Sequence, residues 1–286
     1  MKKALILYYS QAGQTERALA EFAASIEKDF SCDFKKIVPN EIFQFPWKIR
    51  DFFRVFPRAV QGLAPTIQPL QINWNDYELI ILGAQVWFLS PSLPLQGFLQ
   101  SAQALGLRNK KVVTIMTCRN LWHSASKTLH QMLLKNGAEH LGQITLAETS
   151  PVWASFVTTP RWMLTGKKAR FLFFPPAGIS DEEFIKFRAK GARLVSKMQP
   201  GAVFTIDSSV FGSNLNQVSL KLMDSIGIHF FKVWSTFILR VAKSPGIWQD
   251  LWLVMFRLNL VLLIITLGPC TKVFELIVGN HPKYLE

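Results

Sequence analysis

The first 150 residues alternate short apolar runs with amphipathic segments. Residues 3–9 are almost continuously apolar, which is typical of a strand buried on both faces of a parallel sheet. Residues 16–27 then carry apolar side chains at helical spacing. Further strands are predicted at 32–38, 77–83, 111–117 and 140–147, with helices at 94–104 and from the loop 118–121 to residue 135. Strands that alternate with helices pair in parallel through right-handed crossovers, so this pattern predicts an open α/β sheet.

Two segments exceed what such a sheet needs. Residues 39–70 are unusually aromatic. This segment is either the ordinary second crossover helix, or an apolar lid or substrate-binding wall beside the ligand. Residues 158–180 are basic and rich in proline, and we expect an irregular excursion there, followed by a helix at 181–198. Long ordered excursions are often functional.

The tail from residue 201 has a different pattern. Apolar stretches occupy 218–241 and 251–268, and the second approaches the length of a membrane span. Arg257 and Asn259 near its middle make a clean span costly. The stretch is a membrane span, an in-plane anchor, or a soluble helical cap or dimerising element. We assign 1–200 to the α/β domain, with its core at 3–147 and its excursion at 150–180, and 201–286 to a helical, apolar region.

The charge balance changes the expected partners. The net charge is +13 and the sequence pI is about 9.8, which predicts an acidic partner. No Arg/Lys cluster is interleaved with stacking aromatics, so a nucleic acid is not expected and the anionic inner face of a membrane is favoured. Cys32, Cys118 and Cys270 have no metal-ligand spacing, which favours the cytoplasm and predicts no metal site. The first apolar run is too short for a signal peptide.

A candidate phosphate loop joins the first strand to the first helix. Hydroxyl groups on Ser10 and Thr15 can surround a phosphate, and Gly13 permits a close backbone approach. The helix N-terminus adds partial positive charge. The loop is neither a Walker P-loop, which requires Gly-Lys-Ser/Thr, nor the dinucleotide fingerprint Gly-x-Gly-x-x-Gly.

This loop, the strand YELIILG at 77–83 and the loops that follow the third and fourth strands together resemble the flavodoxin family over residues 3–147. The resemblance implies a five-stranded sheet of order 2-1-3-4-5 that binds FMN at the carboxyl ends of its strands. Trp87 and Trp122 match positions where an aromatic ring stacks on the flavin, or they are buried packing residues. The implied FMN-binding residues are Ser10, Gln11, Ala12, Gly13, Gln14, Thr15, Ala84, Gln85, Val86, Trp87, Phe88, Cys118, Arg119, Asn120 and Trp122.

A narrower resemblance rests on AQVWFLSPS at 84–92, CRNLW at 118–122 and FVTTPRW at 156–162. These segments are similar to flavodoxin-like proteins described as dialkylresorcinol condensing enzymes. The resemblance extends through about residue 200 and implies an aromatase that oxidises an alkylated cyclohexanedione to a resorcinol. It also implies a ketosynthase partner that makes the dione, and a hydrophobic substrate.

Such a reaction needs a proton acceptor and a group that stabilises an enolate. Arg119 and Asn120 are candidates for the enolate oxygen, and His123 is a candidate base. His123 is also explained as a solvent-facing capping residue at a helix start, and Arg119 as a residue that neutralises the reduced, anionic flavin. Arg161 and Trp162 either close over the site or anchor the excursion.

Three rival functions fit the same sequence. A flavodoxin-type electron carrier would be shorter and acidic. A membrane-associated quinone reductase or a protoporphyrinogen-oxidase-type dehydrogenase is poorly separated from the aromatase by sequence. A non-catalytic scaffold would have lost FMN. A homo-oligomer is compatible with each of these functions.

Overall fold

The computed structural model describes residues 1–148, 150–196, 204–205, 214–241 and 246–279. Its sheet consists of β1 (Lys2–Tyr8), β2 (Phe30–Lys36), β3 (Leu79–Trp87), β4 (Ser90–Pro91), β5 (Lys111–Cys118), β6 (Glu139–Ala147) and β7 (Phe204–Thr205). The strand order is β2-β1-β3-β5-β6-β7, and β4 forms an antiparallel hairpin with β3. The five long strands are parallel and have the flavodoxin-like order 2-1-3-4-5, so the predicted fold class is confirmed.

Helices cover both faces of this sheet. They are α1 (Gln14–Ile26), α2 (Ile49–Gln61), α3 (Leu93–Gln100), α4 (His123–Lys135), α5 (Val152–Thr165), α6 (Asp181–Ser196), α7 (Asn214–Val241) and α8 (Ile247–Gly279). Short 3-10 helices occupy Trp74–Asp76 and Ala102–Leu107.

Alternate residues of β1 serve two separate cores. Leu5 and Leu7 pack with α3 and α4, whereas Ala4 and Ile6 pack with α1 and α6. This is the period of two that a strand imposes, applied to a strand that is apolar on both faces. All four of these side chains are fully buried.

The helices α7 and α8 pack against α2 and extend the fold beyond the sheet. The rings of Phe56 on α2 and Phe256 on α8 are stacked, with centroids 3.9 Å apart. Asp250 of α8 accepts a bidentate pair of hydrogen bonds from Arg54 of α2, at 2.8 and 2.9 Å, and an ion pair from Arg50 at 2.7 Å. The aromatic segment 39–70 thus contains the crossover helix, and its aromatic side chains anchor the C-terminal helices.

Another contact ties α7 to α4. Asp224 is buried, and its carboxylate accepts hydrogen bonds from the backbone N–H and the hydroxyl of Ser124. It also accepts the backbone N–H of His123. An acidic group at a helix N-terminus satisfies donors that have no partner within the helix, so Asp224 caps α4 from another element.

Several element boundaries differ from the predictions. The third strand continues to Trp87, because the chain turns back there into the β3–β4 hairpin. The predicted excursion 158–180 is wrong in its first part, since α5 continues to Thr165 and only the following residues are irregular. The predicted end of the next helix at residue 198 and the proposed domain boundary at 200–201 lie outside the described residues.

Candidate functional site

One cavity of about 370 Å³ lies at the carboxyl ends of the parallel strands. The strand order reverses between β1 and β3, and the loops that follow both strands line this cavity. Open α/β sheets bind their ligands at such a switch point. The volume is within the range of small-molecule sites, so this cavity is the candidate functional site.

The part of the cavity nearest the strands is polar. Its side chains come from the first loop, from the ends of β3 and β5, and from the residue after β6. We refer to these residues as the polar part of the cavity: Gln11, Gln14, Gln85, Thr117, Arg119 and Glu148.

The remainder of the cavity is built by helices. Side chains from α2, α7 and α8 form a wall without charged groups. We refer to these residues as the apolar part of the cavity: Phe52, Phe53, Met223, Phe231, Leu260, Leu263 and Ile264. Helix α5 completes the enclosure with Phe156, Thr159, Pro160, Met163 and Leu164.

Three polar atoms that line the cavity are buried without a hydrogen-bond partner among the described residues. They are Oε1 of Gln85, Oε1 of Glu148 and Oγ1 of Thr159. An unpaired buried polar atom costs free energy on the order of 1–3 kcal/mol. Their convergence on one cavity indicates that a polar ligand completes them.

Glu148 and Arg119 form the charged centre of the polar part. Glu148 is only 3% exposed, and burial raises the pKa of its carboxyl, while the nearby Arg119 lowers that pKa. Arg119 donates to the carbonyl of Ser155 and lies over the ring of Phe156, 5.3 Å from its centroid. Burial lowers the pKa of the guanidinium, and Glu148 opposes that shift. The Glu148 carboxylate can therefore take up a proton next to the positively charged guanidinium of Arg119.

The loop that was predicted to bind phosphate connects β1 to α1, and its residues make different contacts. Gln11, Ala12 and Gln14 line the cavity, whereas Ser10, Gly13 and Thr15 do not. Thr15 is fully buried, and its hydroxyl lies 2.6 Å from that of Thr117 on β5. The hydroxyl of Ser10 accepts the backbone N–H of Glu16 at 3.3 Å. The Ser10 oxygen therefore stabilises the turn, whereas the Thr15 hydroxyl links α1 to β5.

Gly13 supplies the conformation that this turn requires. It is the N-cap of α1 with a φ of +80°, a left-handed backbone that favours glycine. A Cβ built on Gly13 would meet no atom within 4 Å, so open space adjoins the helix N-terminus.

The loop after β3 lines the cavity with Gln85, Val86, Trp87 and Phe88, while Ala84 is buried in the core. Trp87 is held by edge-to-face contacts with Tyr9, Phe43 and Trp47, at centroid distances of 6.0, 5.2 and 5.6 Å. Burial raises the pKa of Tyr9 to about 12, so this cluster is uncharged at neutral pH.

The tip of the β3–β4 hairpin is strained. Phe88 and Leu89 have φ values of +51° and +60°, and a bulky side chain pays roughly 1–2 kcal/mol for each such residue. A two-residue hairpin with both φ values positive is a type I′ turn, which usually contains Asn and Gly. Here Phe88 packs against Phe52, Phe56 and Phe231, and that contact offsets the strain.

The residues of the loop after β5 that were predicted to bind FMN lie in two different places. Cys118 and Arg119 line the cavity, and burial raises the pKa of the Cys118 thiol, which therefore stays protonated. Asn120 does not line the cavity and donates to the hydroxyl of Ser155 at 3.2 Å.

Trp122 and His123 lie outside the cavity and stack on each other, with centroids 4.1 Å apart. Burial lowers the pKa of His123 to about 4, so its imidazole is neutral and weakly basic at pH 7. The prediction that His123 is the base has no support from this position.

The excursion after α5 covers the first loop. Gly178 and Ile179 line the cavity, and the carbonyl of Ile179 accepts hydrogen bonds from Gln14 at 3.2 Å and from Lys168 at 3.3 Å. Arg161 donates to the carbonyls of Lys167 and Ala169 and therefore anchors the excursion, whereas Trp162 is a cavity wall.

Glu148 and Thr159 were missed by the sequence reasoning. Glu148 directly follows β6, in which Leu141, Ile144 and Leu146 are buried, and an acid at the carboxyl end of a parallel strand is a usable signal. Thr159 lies in a segment that looked irregular, so its position on α5 had no such signal.

No protein-family model matches this chain, and no curated protein matches it. Solved structures are similar over part of the chain. A flavoprotein in complex with FMN from Lactobacillus acidophilus is 25% identical, with 51% of this chain and 93% of that chain covered and a TM-score of 0.41.

Two other structures show the same range of similarity. A two-electron reduced flavodoxin from Megasphaera elsdenii is 17% identical, with 52% of this chain and 88% of that chain covered and a TM-score of 0.35. An NAD(P)H:quinone oxidoreductase from Methanothermobacter marburgensis is 12% identical, with coverages of 68% and 97% and a TM-score of 0.38. All three TM-scores are below 0.5, so the fold of this chain is defined by its own strand order and crossovers.

Proposed function

We propose that this protein is an FMN-dependent oxidoreductase that oxidises an alkylated cyclohexanedione to a resorcinol. The observation that carries the proposal is a single cavity at the switch point of a flavodoxin-like sheet, with unpartnered polar atoms in one part and an apolar wall in the other. The first part suits a polar cofactor, and the second suits alkyl chains.

The residues of the polar part fit FMN. The start of α1 offers backbone N–H groups and open space beside Gly13 for the phosphate. Since the Thr15 hydroxyl is bonded to Thr117 and Ser10 Oγ accepts the N–H of Glu16, the proposal assigns the phosphate mainly to backbone donors and to Gln14. Gln85 would help to hold FMN, because its amide oxygen lacks a partner among the described residues and could accept a hydrogen bond from the cofactor; Trp87 lines the same cavity.

Aromatisation removes one hydride and one proton from the ring, and two carbonyl groups become phenolic oxygens by tautomerisation. When bound, FMN supplies the hydride acceptor. The ionised Oε1 of Glu148 accepts the proton, because it lines the cavity and has no other partner among the described residues. Arg119 lies beside it and stabilises the enolate oxygen that forms.

Glu148 suits the role of base better than His123. Glu148 lines the cavity, whereas His123 lies outside it. Burial raises the pKa of the Glu148 carboxyl, which makes the carboxylate more basic, whereas burial lowers the pKa of His123 to about 4. In this proposal His123 and Asn120 support the loop and do not touch the substrate.

The apolar part holds the substrate's alkyl chains and excludes water. Phe53, Phe231 and Leu263 present only carbon to this space. A ketosynthase that joins two fatty-acyl-derived chains is the kind of partner that would supply such a dione.

The proposal is tested first by its cofactor. Protein purified in mild detergent should be yellow, and heating should release one FMN per chain, identified by mass. The holoprotein should then convert a dialkylcyclohexanedione to the resorcinol anaerobically, with one dione consumed per flavin reduced. A colourless protein that does not take up added FMN contradicts the proposal. If the protein binds FMN and oxidises no dione but turns over a quinone or a porphyrinogen, the proposed cofactor is correct and the proposed substrate is wrong.

A further inference from the structure

Helix α8 exposes a continuous apolar row on its outer face. The row begins with Ile247 and Trp248, which are 84% and 71% exposed. It continues at spacings of three and four residues through Leu251, Met255, Leu258, Leu262 and Ile265. We call these seven residues the α8 row. Such spacing places the whole row on one side of a helix.

The opposite face of α8 belongs to the protein interior. Leu253 and Phe256 are buried, and Leu260, Leu263 and Ile264 line the cavity. One helix thus separates the cavity from the outer surface. A helix that is apolar on both faces needs a second apolar environment besides the core.

Contacts with α2 fix how α8 lies on the protein. Its first turn is held by the ion pairs of Asp250 with Arg50 and Arg54, and its middle by the stack of Phe256 on Phe56. The segment Ile247–Thr266 has the length and a mean hydropathy, 1.6, that allow a membrane span. A span would carry these ion pairs and the packed inner face into the bilayer, so the contacts favour a helix that lies along the surface.

The neighbouring helix α7 adds apolar and basic groups to the same surface. Val233 and Phe237 are exposed, and the ring of Phe237 meets that of Trp252 on α8 at a centroid distance of 4.7 Å. Lys232 and Arg240 are exposed on the same helix. Basic side chains beside an apolar face are typical of helices that lie in an anionic membrane surface.

We propose that α8 lies in the plane of an anionic membrane, with the α8 row inserted among the acyl chains, and that the substrate passes from the bilayer into the cavity across this helix. The membrane contact stands on the exposed row and the flanking cations alone. The delivery of substrate rests on the proposed function.

A vesicle assay tests the membrane contact. Full-length protein is incubated with phosphatidylglycerol/phosphatidylcholine vesicles and separated by flotation. The double variant Leu258→Gln/Leu262→Gln should lower the partition coefficient by about tenfold or more, because two inserted side chains become polar. The matched control is Leu105→Gln/Leu134→Gln, which changes two leucines of similar exposure that lie outside α7 and α8 and should float like the wild type.

Three results would overturn this contact. The first is flotation of the α8-row variant to the same extent as the wild type, and the second is a wild type that does not bind vesicles at low salt. The third is a wild type that binds no vesicles and is a dimer in detergent, with the α8-row variant monomeric, which would assign the row to a second copy of the chain.

Depth measurements test the orientation. Nitroxide labels at Leu251→Cys and Ile265→Cys, in a background with the native cysteines replaced by alanine, should lie at the same shallow depth in the bilayer. One label near the bilayer centre and the other near a surface would contradict the in-plane helix. Vesicle binding by a colourless protein would refute the proposed function alone, and an FMN protein that ignores vesicles would refute the membrane contact alone.

Discussion

The polar and apolar parts of the cavity are built in different ways. The polar part comes from loops and strand ends, where the parallel sheet fixes the backbone and brings Gln11, Gln85 and Arg119 together. The apolar part comes from helices whose positions depend on side-chain packing, above all on Phe56, Phe88 and Phe256. The sheet therefore positions the polar groups of the cavity, whereas the packing of the added helices builds its apolar wall.

The two parts meet at the strained tip of the β3–β4 hairpin. Phe88 contacts α2 and α7, and a Cβ on Gly227 of α7 would lie 2.8 Å from the side chain of Leu89. The strain is therefore maintained by the C-terminal helices. Variants that affect only one part of the cavity test this division.

The largest expected effect is on the apolar part. Phe256→Ala removes a fully buried ring that stacks on Phe56, and a cavity of that kind costs about 3–5 kcal/mol. Chemical denaturation should show this loss, while the flavin content stays near that of the wild type. The control Phe173→Ala removes a ring that is 69% exposed and should change stability by at most about 0.5 kcal/mol. Loss of FMN in Phe256→Ala would show that the two parts are not separable.

In the polar part, the strongest effect should come from Glu148→Gln, which keeps the shape of the side chain but cannot accept the substrate proton. We expect the single-turnover rate to fall by about 100-fold or more, with FMN still bound. Glu183→Gln is the matched control, because Glu183 is also buried but lies outside the cavity and caps α6 through the backbone N–H of Ser180. An undiminished rate in Glu148→Gln would remove Glu148 from the mechanism.

The pH dependence follows from the same pair. The rate should rise with pH as Glu148 ionises, and since Arg119 lowers the pKa of Glu148, Arg119→Gln should move this rise to higher pH by about one unit. Arg119→Lys keeps the charge and should move it less. Because the folded pKa of Glu148 is raised, its ionisation also lowers the free energy of unfolding as pH rises from the ordinary carboxyl range to the folded pKa. A rise at the same pH in all three proteins would exclude this coupling.

A smaller effect is expected where the excursion meets the first loop. Gly178 has a φ of +82°, and a Cβ there would lie 2.6 Å from the side-chain oxygen of Gln14. Gly178→Ala should weaken FMN binding by about tenfold, equivalent to about 1.4 kcal/mol, as measured by fluorescence titration. Gly137→Ala introduces the same backbone strain at a φ of +71° on the far end of α4, and it should leave FMN affinity unchanged. Equal losses in both variants would attribute the effect to global strain.

The sequence predicted the parts of this molecule that depend on local patterns. Buried strands and the turn around Gly13 follow from apolar runs and from a residue suited to positive φ, and the strand order then places the loops together. The contact of Asp250 with Arg54 joins residues 196 positions apart and had no local signal. The hydroxyl of Thr15 bonds to Thr117 on β5 and does not face the cavity. This orientation depends on how the side chain packs against β5, and residue spacing in the sequence does not reveal it.

The most direct test asks whether one cavity serves both the flavin and the alkyl chains. Oxidised holoprotein is mixed anaerobically with cyclohexanediones of increasing alkyl length, and flavin bleaching is followed by stopped flow. Each buried methylene contributes about 0.8 kcal/mol, so kcat/KM should rise up to about fourfold per methylene until the apolar part is filled, and Phe256→Ala should abolish the rise. Bleaching that is independent of chain length, or absent for every dione, would contradict a joint cavity.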